Sequence, residues 1–76
     1  MRITDLEKLL KAIGIPEHAY SLKGGLPNEA FCISEYSNMW EIYYSERGIK
    51  TGLKKFSNES DACDYFFSWI KRILIK

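Results

Sequence analysis

The sequence predicts an α+β domain in the order helix, three-stranded antiparallel meander, helix. Apolar residues recur at helical spacing near both ends of the chain, which is typical of amphipathic helices. Between them lie three runs rich in aromatic and β-branched residues, separated only by the dipeptides Ser37-Asn38 and Arg47-Gly48. We therefore expect a single domain over residues 1–76, with both helices packed on one face of the sheet.

The first helix is expected over about residues 5–13. Thr4 fits an N-cap, and Glu7 three residues later completes a capping box. Gly14 is suited to the C-terminal stop, and Pro16 cannot extend the helix. The apolar stripe of this helix consists of Leu6, Leu9, Leu10 and Ile13.

A loop is expected over residues 15–29, with a short extended piece at Ala19–Leu22. Two prolines and the pair Gly24-Gly25 interrupt regular structure in this segment. The two glycines allow backbone angles that other residues rarely adopt.

Three strands are expected at Ala30–Tyr36, Met39–Glu46 and Ile49–Phe56. The two-residue turns between them fix the register, so that cross-strand partners can be written down. The predicted pairs are Ile33 with Ile42, Phe31 with Tyr44, Glu35 with Trp40, Leu53 with Ile42, and Thr51 with Tyr44. All of these residues fall on one, mostly apolar, face, against which the helices would pack.

The opposite face is expected to remain open to solvent or to a partner. In this register Glu41 stands opposite Lys54, and Tyr43 lies beside Gly52. The other residues expected there are Cys32, Ser34, Tyr36, Met39, Ser45, Lys50 and Phe56.

The last helix is expected to begin near Asn58 or Ser60, with Ser57 or Asn58 as its N-cap. Acidic residues in its first turns and basic residues in its last turns suit the helix dipole. Its apolar stripe consists of Ala62, Tyr65, Phe66, Trp69, Ile70 and Ile73.

Charge changes sign abruptly within the strands. Gly24–Glu46 contains four glutamates and no Lys, Arg or His, whereas Arg47–Lys55 contains four basic residues and no acid. The net charge is only +1, which argues against a general nucleic-acid or membrane-surface binder. Local polarity combined with tyrosine, methionine and tryptophan is typical of a protein-binding surface. The competing interpretation is a solvated sheet face that happens to carry tyrosines.

No catalytic or metal-binding pattern is present in the sequence, so we expect neither enzyme activity nor a cofactor nor a metal. The single histidine, His18, lies in the loop without an implied nucleophile. Cys32 and Cys63 have neither metal-ligand nor CxxC spacing, and we interpret them as reduced packing residues. Charged residues interrupt the apolar start of the chain, and we therefore expect a cytoplasmic protein.

Two stretches resemble a family of small bacterial immunity proteins that accompany polymorphic toxins, including those of contact-dependent growth inhibition. They are residues 20–30, YSLKGGLPNEA, and residues 40–48, WEIYYSERG. The segment Thr51-Gly52-Leu53 and the helix start at residues 59–66 extend the resemblance, which covers roughly residues 15–70.

This resemblance implies that the protein binds a cognate toxin domain in the cytoplasm of the producing cell and neutralises it. Many such toxins are nucleases with basic clefts, which an acidic, aromatic patch would complement. From register and charge we expect toxin contact through Glu35, Glu41, Tyr43, Glu46 and Arg47, with Tyr36 and Met39 as apolar anchors. Trp40 is assigned to the core or its edge. No nucleic-acid or membrane partner is expected.

Two alternatives remain open from the sequence. The element order is also that of double-stranded-RNA-binding domains, but the last helix begins with acids where those domains carry lysines. A homodimeric module could instead pair through a strand edge, although the lysines of Ile49–Phe56 oppose such pairing. We favour a monomer.

Overall fold

The fold is that of a computed structural model, which describes residues 1–75. It is an α+β domain of two helices and a four-stranded mixed sheet. In chain order its elements are α1 (Ile3–Ala12), a 3-10 helix (Glu17–Ala19), β1 (Tyr20–Ser21), β2 (Ala30–Tyr36), β3 (Met39–Glu46), β4 (Ile49–Phe56) and α2 (Glu59–Leu74).

The three antiparallel strands have the predicted bounds, but the sheet contains a fourth strand. Its order is β1-β2-β3-β4, and the short strand β1 runs parallel to β2. β1 lies within the extended piece expected at Ala19–Leu22 and covers part of the β2 edge. The prediction of a purely antiparallel, three-stranded sheet is therefore incomplete.

α1 begins earlier than predicted, and its N-cap is Arg2 rather than Thr4. The Asp5 carboxylate accepts a hydrogen bond from the Arg2 backbone N–H at 3.0 Å. The backbone N–H of Ile3 donates to Oε2 of Glu59 in α2 at 2.9 Å, which satisfies another free donor of the first turn. This tertiary contact favours the earlier start, and Thr4 and Glu7 do not form the cap.

Gly14 ends α1 as predicted. Its φ of +83° is a left-handed conformation, which glycine adopts without steric cost. The backbone N–H of Ile15 donates to the Leu10 carbonyl at 3.0 Å, so the chain turns back and buries Ile15 in the core.

The core lies between the helices and one face of the sheet. α2 begins at the predicted N-cap Asn58, whose side chain accepts a hydrogen bond from the Asp61 backbone N–H at 2.8 Å. Trp40 packs at the edge of this core, as predicted, whereas Ile73 of the predicted stripe remains exposed. The buried cluster consists of Leu6, Leu10, Ile15, Phe31, Ile33, Ile42, Ala62, Cys63, Phe66 and Ile70.

The register of the first hairpin is confirmed throughout, but that of the second is correct only near its turn. Thr51 pairs with Tyr44 as predicted, whereas Ile42 pairs with Lys54 instead of Leu53. A β-bulge between these pairs adds one residue to β4, where Gly52 has a φ of +66°.

The bulge exchanges the faces of the last β4 residues, so their predicted positions are wrong. Lys55, not Lys54, stands opposite Glu41. Phe56 lies on the helix side, with its ring centroid 5.4 Å from that of Tyr65. Lys54 also lies on the helix side, 5.7 Å above the Tyr65 ring.

Both hairpins close through tight turns with left-handed central residues. Ser37 and Asn38 have φ values of 51° and 63°, and Arg47 and Gly48 have values of 52° and 74°. Positive φ at both positions defines a type I′ turn, whose twist matches that of the flanking strands.

We expect the double substitution Ser37→Asn with Asn38→Gly to raise the free energy of unfolding by about 1 kcal/mol. Asn-Gly adopts the type I′ conformation with less steric cost than Ser-Asn. Urea unfolding monitored by circular dichroism measures the change. An unchanged or lower midpoint would mean that strain in this turn is negligible.

Candidate functional site

The sheet face that was expected to be open is largely covered by the loop over residues 22–29. β1 is parallel to β2, so the chain must cross one face of the sheet to reach the start of β2. Gly24 lies directly on that face, where an added Cβ would come within 2.7 Å of the Ser34 Cβ. The prediction of an open face is therefore wrong at its centre.

Tyr43 anchors this crossover loop. Its hydroxyl donates a hydrogen bond to the Gly25 carbonyl at 2.7 Å, and Nζ of Lys50 lies 4.7 Å from the centre of its ring. A second hydrogen bond fixes the start of the loop to β1: Oγ of Ser21 donates to the Gly24 carbonyl at 2.8 Å. Burial is the main cause that raises the pKa of Tyr43, so its hydroxyl remains a donor at neutral pH.

Two of the predicted contact residues are therefore hidden in the free protein. Tyr43 is 1% exposed and Glu41 is 5% exposed. Cys32 and Ser45 on the same face are fully buried. Contact between a partner and Tyr43 would require the loop to move.

The accessible predicted residues form two separate groups. Glu35, Tyr36 and Met39 lie beside the first turn, but they point to different faces of the sheet. Tyr36 pairs with Met39 and is 61% exposed on one face, whereas Glu35 pairs with Trp40 and lies on the helix face. Glu46 and Arg47 lie at the other end of β3 and in the second turn. Glu46 follows Met39 by seven positions along β3, which corresponds to about 24 Å.

We call Glu35, Tyr36 and Met39 the turn surface. It combines an exposed carboxylate, a large aromatic ring and a half-buried thioether. Such a surface can anchor a basic, partly apolar patch of another protein, since tyrosine and methionine are both enriched at protein interfaces and tyrosine loses little side-chain entropy on binding. Sequence reasoning found these three residues because the first hairpin register was correct.

Sequence reasoning missed the crossover loop as part of the site. The sequence feature that could have revealed this loop is the Gly24-Gly25 pair after the short extended piece. Glycine often occurs where the backbone comes close to another element. Both glycines have positive φ, at 74° and 82°.

Groups that could support catalysis do not converge in the part of the chain that is described. His18 is exposed on the 3-10 helix, whereas both cysteines are free and buried. Burial raises the pKa of Cys32, and it raises that of Cys63 to about 11, so neither thiol is activated as a nucleophile. Within residues 1–75, no three His, Cys, Asp or Glu residues are arranged to hold a metal ion.

The raised pKa of Cys63 predicts a loss of stability at alkaline pH. The folded state retains the thiol proton up to about pH 11, while the unfolded chain releases it near the ordinary pKa of 9.0. Unfolding is therefore increasingly favoured as the pH rises between those values. Urea midpoints measured across this range should fall less steeply for Cys63→Ala than for the parent. Equal slopes would contradict the assignment.

No helix within residues 1–75 is both long and apolar enough to cross a membrane. Comparison with known proteins gives no match: no family model, no curated protein and no solved structure is similar to this chain. The candidate site therefore rests on the geometry and chemistry of its own residues.

Proposed function

We propose that this protein is a bacterial immunity protein that binds a cognate toxin domain in the cytoplasm of the producing cell and neutralises it without catalysis. The proposal is carried by the contact between the two stretches that resemble this family. Tyr43 of the second stretch donates its hydrogen bond to Gly25 of the first. Segments that are far apart in sequence thus form one structural unit, supporting the idea that both belong to one binding scaffold.

The turn surface is the proposed main contact with the toxin. Tyr36 supplies an exposed aromatic anchor on one face of the hairpin end, and Glu35 supplies a negative charge on the other face, so the toxin would have to receive the end of the hairpin between two walls. A nuclease domain with a basic cleft presents the complementary charge, which would speed association and exclude nucleic acid from the cleft. Glu46 and Arg47 provide a second contact only for a partner that spans about 24 Å.

Glu41 and Tyr43 have a different role in this proposal from the one their sequence positions predicted. Both are buried, and Tyr43 holds the crossover loop through Gly25. They lie on the same strand and the same sheet face as Met39, so they help to fix the part of β3 that leads into the turn surface. We assign them to positioning and not to direct toxin contact.

Double-stranded-RNA binding is less well supported. The acids at the start of α2 lie where incoming phosphates would be repelled. Glu59 accepts from the Ile3 backbone, the Asp61 carboxylate accepts from the side-chain amide of the N-cap Asn58, and Asp64 lies 3.7 Å from the N-terminal amine. These acids have structural partners, so α2 does not offer a basic helix start.

The double variant Glu35→Lys with Tyr36→Ala should weaken toxin binding at least about tenfold, since it reverses a charge and removes the aromatic anchor. Both side chains are exposed, so the fold should be retained. Growth of cells that co-express the toxin domain encoded immediately upstream reports protection. Glu7→Lys is the matched control, because it makes the same charge change on exposed α1. Undiminished protection by the double variant would remove the turn surface from the proposal.

A further inference from the structure

β4 forms a free edge of the sheet. In the described part of the chain it pairs with β3 alone, and the opposite edge is the two-residue strand β1. All β4 residues before Phe56 are exposed, including Ile49 at 60% and Leu53 at 43%. An exposed edge strand presents unpaired backbone N–H and C=O groups that can pair with a further strand.

An aromatic groove lies beside this edge, between α2 and the β4 side of the sheet. Its narrow part has a volume of about 130 Å³ and is lined by Ile42, Gly52, Lys54, Tyr65 and Trp69. Two larger cavities, of about 390 Å³ near Phe56 and about 330 Å³ near Tyr44, adjoin it. Trp69 lines all three, so the half-buried indole is the centre of the groove.

The charges around the β4 edge indicate which kind of partner segment could bind there. Lys50 and Lys55 project on the face away from the groove, since they stand opposite Ser45 and Glu41. Lys54 lies in the groove, and residues 47–56 contain no acid. Asp61 and Asp64 line only the far end near Phe56. Two copies of β4 side by side would place lysines against lysines, which disfavours a homodimer through this edge.

We propose that β4 binds an extended segment of a partner protein as a fifth strand, and that this segment alternates apolar with acidic residues. Side chains of a strand point alternately to its two faces. The apolar residues would enter the groove around Trp69, and the acidic residues would meet Lys50 and Lys55. Backbone pairing supplies affinity in this mode, while pockets for alternate side chains supply specificity.

This inference goes beyond the proposed function, because it concerns a surface other than the turn surface and does not depend on the partner being a toxin. The bulge at Gly52 and Leu53 divides β4 into regularly paired segments at residues 49–51 and 54–56. The smallest of the three cavities lies at the bulge, where Gly52 forms part of its wall. A bound segment would therefore place one apolar side chain in the cavity on either side of Gly52.

A substitution at Lys50 can block backbone pairing at the β4 edge without unfolding the sheet. Glu46 and Ile49 are paired across the second turn. In a two-residue hairpin the residues that flank the turn form the hydrogen-bonded type of pair. By the alternation of an antiparallel ladder, the Lys50 N–H then points away from β3. Lys50→Pro removes this outward donor, whereas Lys50→Ala removes only the charge and the side chain.

The test is a titration of the isotope-labelled protein with a capped peptide of about eight residues in which valine and glutamate alternate. We expect shifts of the β4 backbone amides and of the Trp69 indole N–H. Replacing every glutamate of the peptide by lysine should weaken binding at least about tenfold. Lys50→Pro should bind at least about tenfold more weakly than Lys50→Ala.

The double variant Lys50→Glu with Lys55→Glu provides a second test that leaves every backbone donor in place. It should reverse the preference, so that the lysine peptide binds more tightly than the glutamate peptide. The proposal is overturned by an absence of β4 shifts up to about 1 mM glutamate peptide. Shifts confined to other elements, unchanged preference in the double variant, or self-association through β4 would also overturn it.

Discussion

Phe66→Ala is expected to lower the free energy of unfolding by about 3–5 kcal/mol. Phe66 is fully buried near the middle of α2, and its ring meets that of Trp69 edge-on at 6.3 Å. A domain of this size has a total stability of about 4–11 kcal/mol, so the loss takes a large share of it. Thermal and urea unfolding, followed by circular dichroism, should show a greatly lowered midpoint or an unfolded chain.

Phe67→Ala is the matched control for this prediction. It makes the same chemical change one residue later, where the ring is half-buried beneath Lys71 at 4.7 Å. The expected cost is about 1–2 kcal/mol, because less apolar surface is lost and solvent can fill the space. Equal costs for the two variants would show that α2 is rotated relative to the arrangement described.

Gly24→Ala is expected to destabilise the protein by about 2–4 kcal/mol. Two effects combine at this position. The φ of +74° strains any residue with a Cβ, and that Cβ would lie 2.7 Å from Ser34 Cβ and 2.9 Å from its Oγ. The loop would have to lift from the sheet, which would break the hydrogen bond from Tyr43 to Gly25. Urea unfolding measures the cost.

Gly25→Ala separates the two effects. Its φ of +82° imposes similar strain, but the nearest atom to an added Cβ is Pro27 Cδ at 4.0 Å. We expect a cost of about 1–2 kcal/mol for this variant. Adding Ser34→Gly to Gly24→Ala should recover part of the loss, since it removes the atoms that clash. If Gly24→Ala were no worse than Gly25→Ala, the close approach of the loop to the sheet would be contradicted.

Much of the fold could be predicted because local signals agreed with one another. The bounds of β2, β3 and β4 follow from alternation and from turns of only two residues, which leave little choice of register. The cap at Asn58 and the stop at Gly14 are also local, since each depends on contacts within a few residues. These features needed no knowledge of the packed structure.

The features that were missed depend on contacts between distant segments. Arg2 replaces Thr4 as the cap of α1 because Glu59 of α2 accepts a hydrogen bond from Ile3. The bulge at Gly52 gives a register that neither turn dictates, and it places Phe56 against Tyr65. Tertiary packing thus overrides local propensity at each of these places.

The candidate site was predicted only in part for the same reason. The exposed positions of Tyr36 and Glu35 could be predicted because the register of the first hairpin alone determines them. Tyr43 is covered by the crossover loop, whose path follows from the parallel pairing of β1 with β2. Two residues of β1 gave too weak a pattern to reveal that pairing in advance.

The most direct test of the proposed function is to co-express the tagged protein with the domain encoded immediately upstream and to purify it by the tag. Light scattering of the purified material measures the mass of any complex. We expect a one-to-one complex together with restored growth of the co-expressing cells. Recovery of the protein alone, from cells whose growth is not restored, would contradict its assignment as an immunity protein.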